Sequence, residues 1–355
     1  MTTASPDHRP EPAVLNLLPA ASGPGADAET PGCGCSADGS GCAGDGAGHL
    51  DVVCGLDAEL AGLLEAAGLD PVAVEDIAHL ALAEDLDQGP DVTTNATVPD
   101  EAVATADFTA REAGTVAGLR VAEAVLSVVA TDDMEVERHV EDGDRVEAGQ
   151  VVLSVTGRTR DLLTGERTAL NLLCRLSGVA TTTRAWADVL RDTGATVRDT
   201  RKTTPGLRAL EKYAVRCGGG ANHRMSLSDA ALIKDNHVVA AGGVAEAFTA
   251  VRAELAAWGT PDLPIEVEVD RLDQIEPVLE AGADLLLLDN FSPEETREAV
   301  ALVAGRARLE SSGRLTLENA RAYGETGVDF LAVGALTHSS PILDVGLDLR
   351  SRERD

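Results

Sequence analysis

Hydrophobic positions in the first half of the chain change repeatedly between helical spacing and strict alternation. The pattern predicts helices over 56–67, from Pro71 to Leu82 and over 121–130, and strands over 103–110, 134–140 and 145–157. The stretch GPDVTTNATVP, residues 89–99, has the composition of a loop. Strands followed by tight turns, with helices beside them, indicate a small antiparallel α+β domain.

Hydrophobic positions in the second half of the chain follow a different pattern. A helix is expected from Asp161 to Gly178, and a second helix from there to about Asp192. Apolar runs then recur with helical stretches between them, at 195–200, 230–236, 264–270, 283–290, 308–313 and 328–336. Strands that alternate with helices form a parallel sheet. All six runs end in polar or glycine residues, which favours a β/α barrel with its site at the carboxyl ends of the strands.

The composition indicates the number of domains, the extent of the N-terminal tail and the state of the cysteines. A chain of 355 residues with 44% hydrophobic and 2% aromatic residues has enough material for two domains with cores of Ala, Val and Leu. Residues 1 to about 50 are rich in Pro, Gly, Ala and Ser and are expected to be a disordered tail. Cys33, Cys35 and Cys42 in this tail match no common zinc spacing. We expect free thiols, no membrane span, no signal peptide and a cytoplasmic location.

The positive charge is concentrated in one segment, residues 194–237. It contains all three lysines of the chain, and eight Lys and Arg there face four Asp and Glu, whereas the whole chain has a net charge of −31. A basic island in an acidic protein focuses positive potential on a small anionic ligand and disfavours nucleic acid and anionic membranes. Arg208, Glu211 and Lys212, at helical spacing, are interpreted instead as a solvated helix face.

The strand ends offer a second set of groups. Glu268 and Asp289 end successive predicted strands and could hold magnesium or the hydroxyl groups of a ribose. The small residues of Ser311–Gly313 and Gly334–Ala335 end the last two strands, where the backbone of a barrel commonly binds phosphate. Together these groups predict a site for a phosphorylated, magnesium-bound sugar and an acidic second substrate.

Other functions are less compatible with the sequence. The stretch VEDGDRVEAGQVVLSV resembles half of a biotinyl or lipoyl carrier domain, but no lysine precedes Lys202, so the carrier function is excluded. No G-x-G-x-x-G motif follows a first strand, so the sequence does not indicate a dinucleotide-binding site. An aldolase-like barrel with a Schiff base on Lys234 or Lys202, and a non-catalytic anion-binding module, remain alternatives.

The motifs of the second half resemble one enzyme family. DTRKTTPGLRALEKYAVRCGGGANHR, followed by ALIKDNH, is similar to quinolinate phosphoribosyltransferase, and the likeness continues from about 70 to 350 through DVTT, GERTALNLL, EVEVD, LLDN, ESSG and AVGALTHS. The resemblance implies an N-terminal open-faced sandwich joined to an α/β barrel. The expected domains are a tail over 1–55, the sandwich over 56–170, the barrel over 171–338, and a segment over 339–355 that returns to the sandwich.

The resemblance also implies a reaction and a set of site residues. Quinolinate and phosphoribosyl pyrophosphate, with Mg²⁺, would give nicotinate mononucleotide, pyrophosphate and CO2, in a homodimer with shared sites. Residues expected to bind the substrates are Arg167 (donated to the partner's site), Thr200, Arg201, Lys202, His223, Arg224, Lys234, Glu268, Asp289, Ser312, Gly313, Arg314, Gly334, Ala335, Leu336 and His338. Lys202, Lys234, Glu268 and Asp289 are the expected catalytic residues, and Glu268 and Asp289 the expected magnesium ligands.

Two positions depart from the pattern of the family. Arg314 stands where a small residue or Asn is usual, and GPDVTT replaces GGDVTT. A related barrel pyrophosphorylase that acts on another aromatic acid is the nearest alternative to this function.

Overall fold

The structure is a computed structural model and describes residues 55–351, with the side chain of the last residue excluded. The tail predicted over 1–55, with Cys33, Cys35 and Cys42, lies outside the described residues except for its final residue. No helix within 55–351 is both long and apolar enough to cross a bilayer.

The N-terminal region is built on a four-stranded antiparallel sheet. Its elements are α1 (Ala58–Ala66), α2 (Pro71–Leu86), α3 (Val92–Thr97), β1 (Val103–Ala110), β2 (Gly114–Thr115), α4 (Leu119–Val129), β3 (Glu135–Arg138), β4 (Arg145–Val146) and β5 (Val151–Arg158). The strand order is β12-β1-β5-β3, where β12 is the C-terminal strand Val345–Ser351, and β2 pairs separately with β4. β12 therefore returns to the N-terminal sheet and lies beside β1.

Local sequence explains most of these boundaries. The carboxylate of Asp57 accepts hydrogen bonds from the first turn of α1, and Asp70 caps α2, which begins at Pro71. The prediction of a loop over 89–99 is wrong at its centre, because α3 forms there. Asp91 caps α3 by accepting bonds from the backbone N–H (2.9 Å) and the hydroxyl of Thr94.

The longest element, α5 (Thr159–Leu190), joins the two regions as one continuous helix. The prediction that a helix stops at Gly178 is therefore wrong, and the predicted domain boundary at 170/171 falls inside α5. A Cβ on Gly178 would lie 2.0 Å from the carbonyl oxygen of Pro341. Gly178 is thus a site of close helix–backbone packing, which a local pattern cannot distinguish from a helix terminus.

The second region is a parallel β/α barrel. Its strands are β6 (Thr196–Arg198), β7 (Ala231–Ile233), β8 (Ile265–Val269), β9 (Leu285–Asp289), β10 (Arg308–Ser312) and β11 (Phe330–Ala332). All six predicted runs contain one of them. The order β6-β11-β10-β9-β8-β7 places the last strand beside the first, so the ring is open only between β6 and β7. The prediction of a β/α barrel behind an α+β domain is confirmed.

Helices surround this barrel. They are α6 (Arg208–Cys217), α7 (Asp235–Ala241), α8 (Val244–Ala257), α9 (Ile275–Glu280), α10 (Pro293–Val303), α11 (Leu317–Gly324) and α12 (Ala335–His338). In the gap between β6 and β7, the segment around Ala221 bonds to β6, since the N–H of Ala221 donates to Val197 O at 2.9 Å. The loop that precedes β7 therefore lies against the strand that delivers Arg201.

Candidate active site

The carboxyl ends of the middle strands meet at one mouth of the barrel. Lys234 follows β7, and its Nζ lies 2.6 Å from Oε2 of Glu268 on β8. Asp289 ends β9 and is in register with Ser312 at the end of β10. Glu268 is in register with Leu287, two residues before Asp289, so the two carboxylates share the inner face. The structure thus brings four of the predicted residues together.

Asp289 is held by the residue that follows it. Asn290 has a φ of 60°, and its side-chain amide donates to Oδ2 of Asp289 at 2.6 Å. Burial, followed by the negative charge of Glu268, raises the pKa of Asp289 above its usual value. The neighbouring Gly313 has a φ of 84°, and a Cβ there would lie 2.3 Å from Oδ1 of Asn290. Only glycine fits at this position, and it allows the loop after β10 to approach Asp289.

Glu268 and Asp289 have the donor chemistry of a magnesium site. Both offer carboxylate oxygens, which are hard ligands, and each has only one oxygen engaged by a described side chain. Their mutual repulsion, expressed in the raised pKa of Asp289, would be relieved by a bound cation. The residues present therefore fit Mg²⁺.

Arg201 and Arg224 form a second part of the site. The segments that carry them are bonded to each other, since the N–H of Asp199 donates to the carbonyl of Ala221 at 3.2 Å and the N–H of His223 donates to Oδ1 of Asp199 at 2.8 Å. Burial, and then the positive charge of Arg201, lowers the pKa of Arg224 below its usual value. The Nε atom of each is buried and has no hydrogen-bond partner among the described residues. Two neighbouring cations with unused donors need acceptors, and the natural acceptor is a ligand with carboxylate groups.

Lys202 connects this part of the mouth to the last strand. Its backbone N–H donates to the hydroxyl of Thr200 at 3.0 Å, and its carbonyl accepts from the hydroxyl of Thr337 at 2.8 Å. A Cβ on Gly334 would lie 2.9 Å from the Cδ of Lys202 and 3.2 Å from Nε2 of His338. The side chains of Lys202 and His338 therefore both lie against the loop after β11.

The predicted phosphate loops offer backbone donors. Within residues 55–351, the N–H groups of Gly313, Arg314, Gly334 and Ala335 have no protein acceptor, whereas that of Leu336 donates to Val333 O at 3.4 Å. The Leu336 side chain is fully buried, so it cannot contact a ligand. Arg314 is exposed and has a φ of 51°. Unpaired N–H groups at the ends of the last two strands suit a phosphate.

His223 points away from the mouth into the interior of the barrel. Its Nε2 lies 2.7 Å from Oε2 of Glu266 and 3.6 Å from Oε1 of Glu310. Its Nδ1 accepts the N–H of Arg224 at 2.7 Å, so both ring nitrogens have a partner. The ring is 8% exposed. Its predicted contact with substrate stays a prediction.

Sequence reasoning missed the charged layer beneath the mouth. Glu266 and Glu310 are buried, and Arg198 donates to Oε2 of Glu310 at 2.6 Å. The alternation of side chains along a strand could have indicated these residues, because Glu266 lies on the same face as Glu268 and Glu310 lies on the same face as Ser312. Burial and the negative charge of Glu266 outweigh Arg198 and raise the pKa of Glu310 to about 8.

Replacing Glu310 with glutamine is expected to flatten the pH dependence of stability. Between pH about 4.5, the ordinary value, and about 8, the folded chain keeps this proton while the unfolded chain releases it. The free energy of unfolding of the wild type therefore falls as pH rises through this window. Urea midpoints at pH 5 and pH 8 measure the effect. If the urea midpoint changed by the same amount between pH 5 and pH 8 in the wild type and in Glu310→Gln, the raised pKa of Glu310 would be contradicted.

Two of the three residues interpreted as a solvated helix face are buried, so that interpretation is wrong for them. Glu211 and Lys212 on α6 are both 0% exposed, and only Arg208 is partly exposed. Lys212 pairs with Asp199, and Glu211 pairs with Arg175 of α5 at 2.7 Å. Their partners lie outside α6, so the spacing within the helix did not indicate them.

Arg167 is the predicted site residue that the structure leaves apart. It lies inside α5, its side chain is 67% exposed, and the nearest carboxylate, Glu166, is 4.0 Å away. Among the described residues, no mouth residue is hydrogen-bonded or ion-paired to it. An exposed, unengaged arginine is compatible with a role in another subunit.

Comparison with known proteins agrees with this geometry. The family model for the quinolinate phosphoribosyl transferase C-terminal domain matches residues 179–348, and the model for the N-terminal domain matches 91–177. The chain is 54% identical over 281 residues to the nicotinate-nucleotide pyrophosphorylase [carboxylating] of Mycobacterium leprae, covering 78% of this chain and 97% of the relative. It is 39% identical over 288 residues to quinolinate phosphoribosyltransferase [decarboxylating] 1b of Nicotiana tabacum, covering 77% and 81%.

A solved structure gives the same result for the fold. NadC from Streptococcus pyogenes superposes with a TM-score of 0.76 at 40% identity, covering 80% of this chain and 99% of that one. The family models together span both regions of the structure, and they include every residue placed at the mouth. The chain belongs to the quinolinate phosphoribosyl transferase family.

Proposed function

We propose that the protein transfers the phosphoribosyl group of phosphoribosyl pyrophosphate to quinolinate and removes one carboxylate. The products are nicotinate mononucleotide, pyrophosphate and CO2, so the enzyme is a pentosyltransferase of NAD biosynthesis. Relatives that are 54% and 39% identical carry the names of this activity. Family membership supports the reaction class, and the mouth supplies groups for both substrates.

One observation carries the assignment of the acid substrate. Arg201 and Arg224 are partly buried cations on two segments that are hydrogen-bonded to each other, and their Nε atoms lack partners among the described residues. Guanidinium groups bind carboxylates through two parallel hydrogen bonds, and quinolinate carries two neighbouring carboxylates. A dianionic acid therefore satisfies both arginines and relieves their mutual repulsion.

The other half of the mouth suits the sugar. Glu268 and Asp289 can accept hydrogen bonds from the ribose hydroxyls, and the N–H groups at 313–314 and 334–335 can bind its phosphate. Glu268 and Asp289 are also the residues that would hold Mg²⁺ brought in with the pyrophosphate. Bound there, Mg²⁺ would supply charge neutralisation for the leaving pyrophosphate.

The residues of the mouth then have distinct tasks in the transfer. The bond from ribose C1 to pyrophosphate breaks with oxocarbenium character, so the leaving oxygens gain negative charge. Lys202 and Lys234 are the nearby ammonium groups that can stabilise this charge, and Glu268 orients Lys234 at 2.6 Å. Binding of both substrates in one mouth aligns the ring nitrogen with C1.

Decarboxylation follows from the product of the transfer. Once the ring nitrogen carries the ribose it is cationic, and its charge stabilises the electron pair left on the adjacent ring carbon when the carboxylate departs as CO2. A proton from solvent then adds to that carbon and gives nicotinate mononucleotide. Arg201 and Arg224 hold the ring while CO2 leaves. The substrate itself thus supplies the electron sink for this step.

We also propose that the enzyme is a homodimer in which Arg167 reaches the partner's mouth. The exposed position of Arg167 on α5 supports this arrangement, as does the 4.0 Å separation from Glu166, its nearest carboxylate among the described residues. In a two-fold dimer the donation is reciprocal, so both sites are completed in the same way. The cytoplasmic location stays a prediction.

A direct assay tests the proposed function. The purified chain is incubated with Mg²⁺, phosphoribosyl pyrophosphate and quinolinate labelled in the carboxylate next to the ring nitrogen. We expect labelled CO2 and nicotinate mononucleotide in equal amounts. Release of pyrophosphate without nucleotide would show hydrolysis only and would overturn the proposal.

The nearest alternative is the same transfer to another aromatic acid. Quinolinate has two carboxylates for the two arginines, whereas nicotinate has one. Assays with nicotinate and with phthalate in place of quinolinate separate these substrates, because only quinolinate has both carboxylates and the ring nitrogen. Faster turnover of nicotinate than of quinolinate would favour the alternative.

No Schiff base is expected at Lys234 or Lys202. Lys234 is ion-paired with Glu268, and an ammonium group held by a carboxylate is not a nucleophile. Treatment with borohydride in the presence of both substrates, followed by mass spectrometry of the peptides, should reveal no added mass. A reduced adduct on Lys234 would support an aldolase-like reaction instead.

A further inference from the structure

Helix α6 buries two adjacent residues of opposite charge. Glu211 and Lys212 are both 0% exposed, although charged side chains are rarely fully buried without partners. They follow each other in sequence and therefore point in different directions from the helix axis. Each one contacts a different part of the mouth.

Lys212 connects the two segments that carry the arginines. Its Nζ donates to the carboxylate of Asp199 and to the carbonyl of His223 at 2.7 Å. Asp199 also accepts the N–H of His223 at 2.8 Å and the side-chain amide of Asn222 at 2.6 Å. Asp199 lies two residues before Arg201, and His223 directly precedes Arg224. One buried ion pair therefore joins the supports of both guanidinium groups.

Glu211 makes the corresponding connection on the sugar side. Its carboxylate accepts from the N–H of Thr204 at 3.0 Å, from the Thr204 hydroxyl at 2.7 Å and from Arg175 at 2.7 Å. Arg175 also donates to the carbonyls of Thr337 and of Ser340, the latter at 2.9 Å. Glu211 thus fixes the segment after Lys202 and, through Arg175, helix α12 and the segment that follows it.

We propose that Lys212 and Asp199 are positioning residues that set the spacing of Arg201 and Arg224 before quinolinate binds. The two guanidinium groups repel each other, and their supporting loops would separate them in the empty site if nothing held the loops together. The buried ion pair fixes both loops to α6 and keeps the site ready for two carboxylates. This inference rests on the proposed function, because quinolinate is the ligand it concerns.

A purely structural role would also make single variants harmful. Replacing Lys212 alone leaves the carboxylate of Asp199 buried without its counter-ion, which destabilises any protein. Removing both charges avoids that penalty, since a buried ion pair replaced by groups of similar volume often leaves stability unchanged or improved. The double variant Lys212→Met/Asp199→Asn therefore separates stability from positioning.

The test compares wild type, Lys212→Met and the double variant as full chains. We expect Lys212→Met to lower the melting temperature and the double variant to recover most of that loss. The double variant should still have kcat/KM for quinolinate reduced by about 100-fold, a loss typical of reacting groups displaced by about 1 Å. Its KM for phosphoribosyl pyrophosphate should change much less.

Two controls define the effect. Glu211→Gln alters the anchor on the other side and should raise the KM for phosphoribosyl pyrophosphate more than that for quinolinate. Arg306→Met/Glu276→Gln removes an exposed ion pair on α9 and the loop after α10, whose contacts are 2.8 Å, and should leave both KM values unchanged. A double Lys212/Asp199 variant with a wild-type kcat/KM for quinolinate would overturn the proposal.

Hydrogen exchange provides a measurement that needs no substrate. The N–H of His223 bonds to Asp199 and should exchange faster in the double variant, together with residues 199–204 and 222–224, at unchanged global stability. Unchanged exchange in these segments would refute positioning by the ion pair. If the wild type failed to turn over quinolinate, the proposed function would fail, while the exchange result would still decide whether the pair holds the two segments.

Discussion

Replacing Arg201 with alanine is expected to weaken quinolinate binding by about 2–5 kcal/mol and to weaken phosphoribosyl pyrophosphate binding much less. The loss is large because the substrate carboxylate would remain buried without its bidentate partner. Arg224, its neighbour, could not compensate, because one guanidinium group cannot bind both carboxylates through paired hydrogen bonds.

Titration calorimetry of each substrate measures this difference. Arg297→Ala is the matched control, since Arg297 is an exposed arginine on α10 whose one ion pair with residues 55–351 is to Glu294 at 3.3 Å. The control should bind both substrates as the wild type does, because surface pairs of this kind contribute little. Equal losses for the two substrates in Arg201→Ala would mean that Arg201 serves the whole mouth rather than the acid.

The barrel could be predicted because its signals are local. Each strand is a short apolar run that ends in polar residues, and the carboxyl ends of parallel strands meet at one edge. The positions of Lys234, Glu268, Asp289 and Ser312 follow directly from that rule. Their convergence needed only the element order and the strand direction.

The errors have a common physical origin in contacts between distant parts of the chain. Gly178 had the local appearance of a helix stop, but the nearby carbonyl of Pro341 explains why a glycine stands in the middle of α5. Lys212 had the spacing of a solvated face, but Asp199 and the His223 carbonyl hold it in the interior. A single sequence does not reveal which distant group will approach a helix.

The buried charged residues inside the barrel show a different limit of prediction from a single sequence. Barrel interiors are usually filled with branched aliphatic residues, so alternation alone would assign Glu266 and Glu310 to either face. Their burial depends on Arg198 and on His223, which enters through the gap between β6 and β7. Resemblance identified His223 as important, whereas the structure locates its side chain among these carboxylates.

Activity should reappear when two inactive variants of the enzyme share a dimer. We expect Arg167→Ala and Arg201→Ala homodimers each to be nearly inactive, because each lacks one of the arginines proposed for every site. If Arg167 serves the partner's mouth, a mixed dimer has one site with both defects and one site with neither. Reciprocal donation across a two-fold axis makes this distribution unavoidable.

The recovery can be calculated from random pairing. Co-refolding equal amounts of the two variants should give about half mixed dimers, each with one intact site of two, so activity should reach about a quarter of the wild-type value per site. Native mass spectrometry of a tagged pair measures the fraction of mixed dimers, and the assay for nicotinate mononucleotide measures activity.

A matched pair of variants provides the control. Arg201 and Lys234 both stand at the mouth of their own barrel, Lys234 within 2.6 Å of Glu268. A mixture of Arg201→Ala with Lys234→Ala should therefore produce no intact site and no recovery. If the Arg167→Ala and Arg201→Ala mixture also stays inactive while mixed dimers form, Arg167 acts within its own subunit. Recovery in the first mixture alone would place Arg167 in the partner's site, because only donation between subunits can separate the two defects.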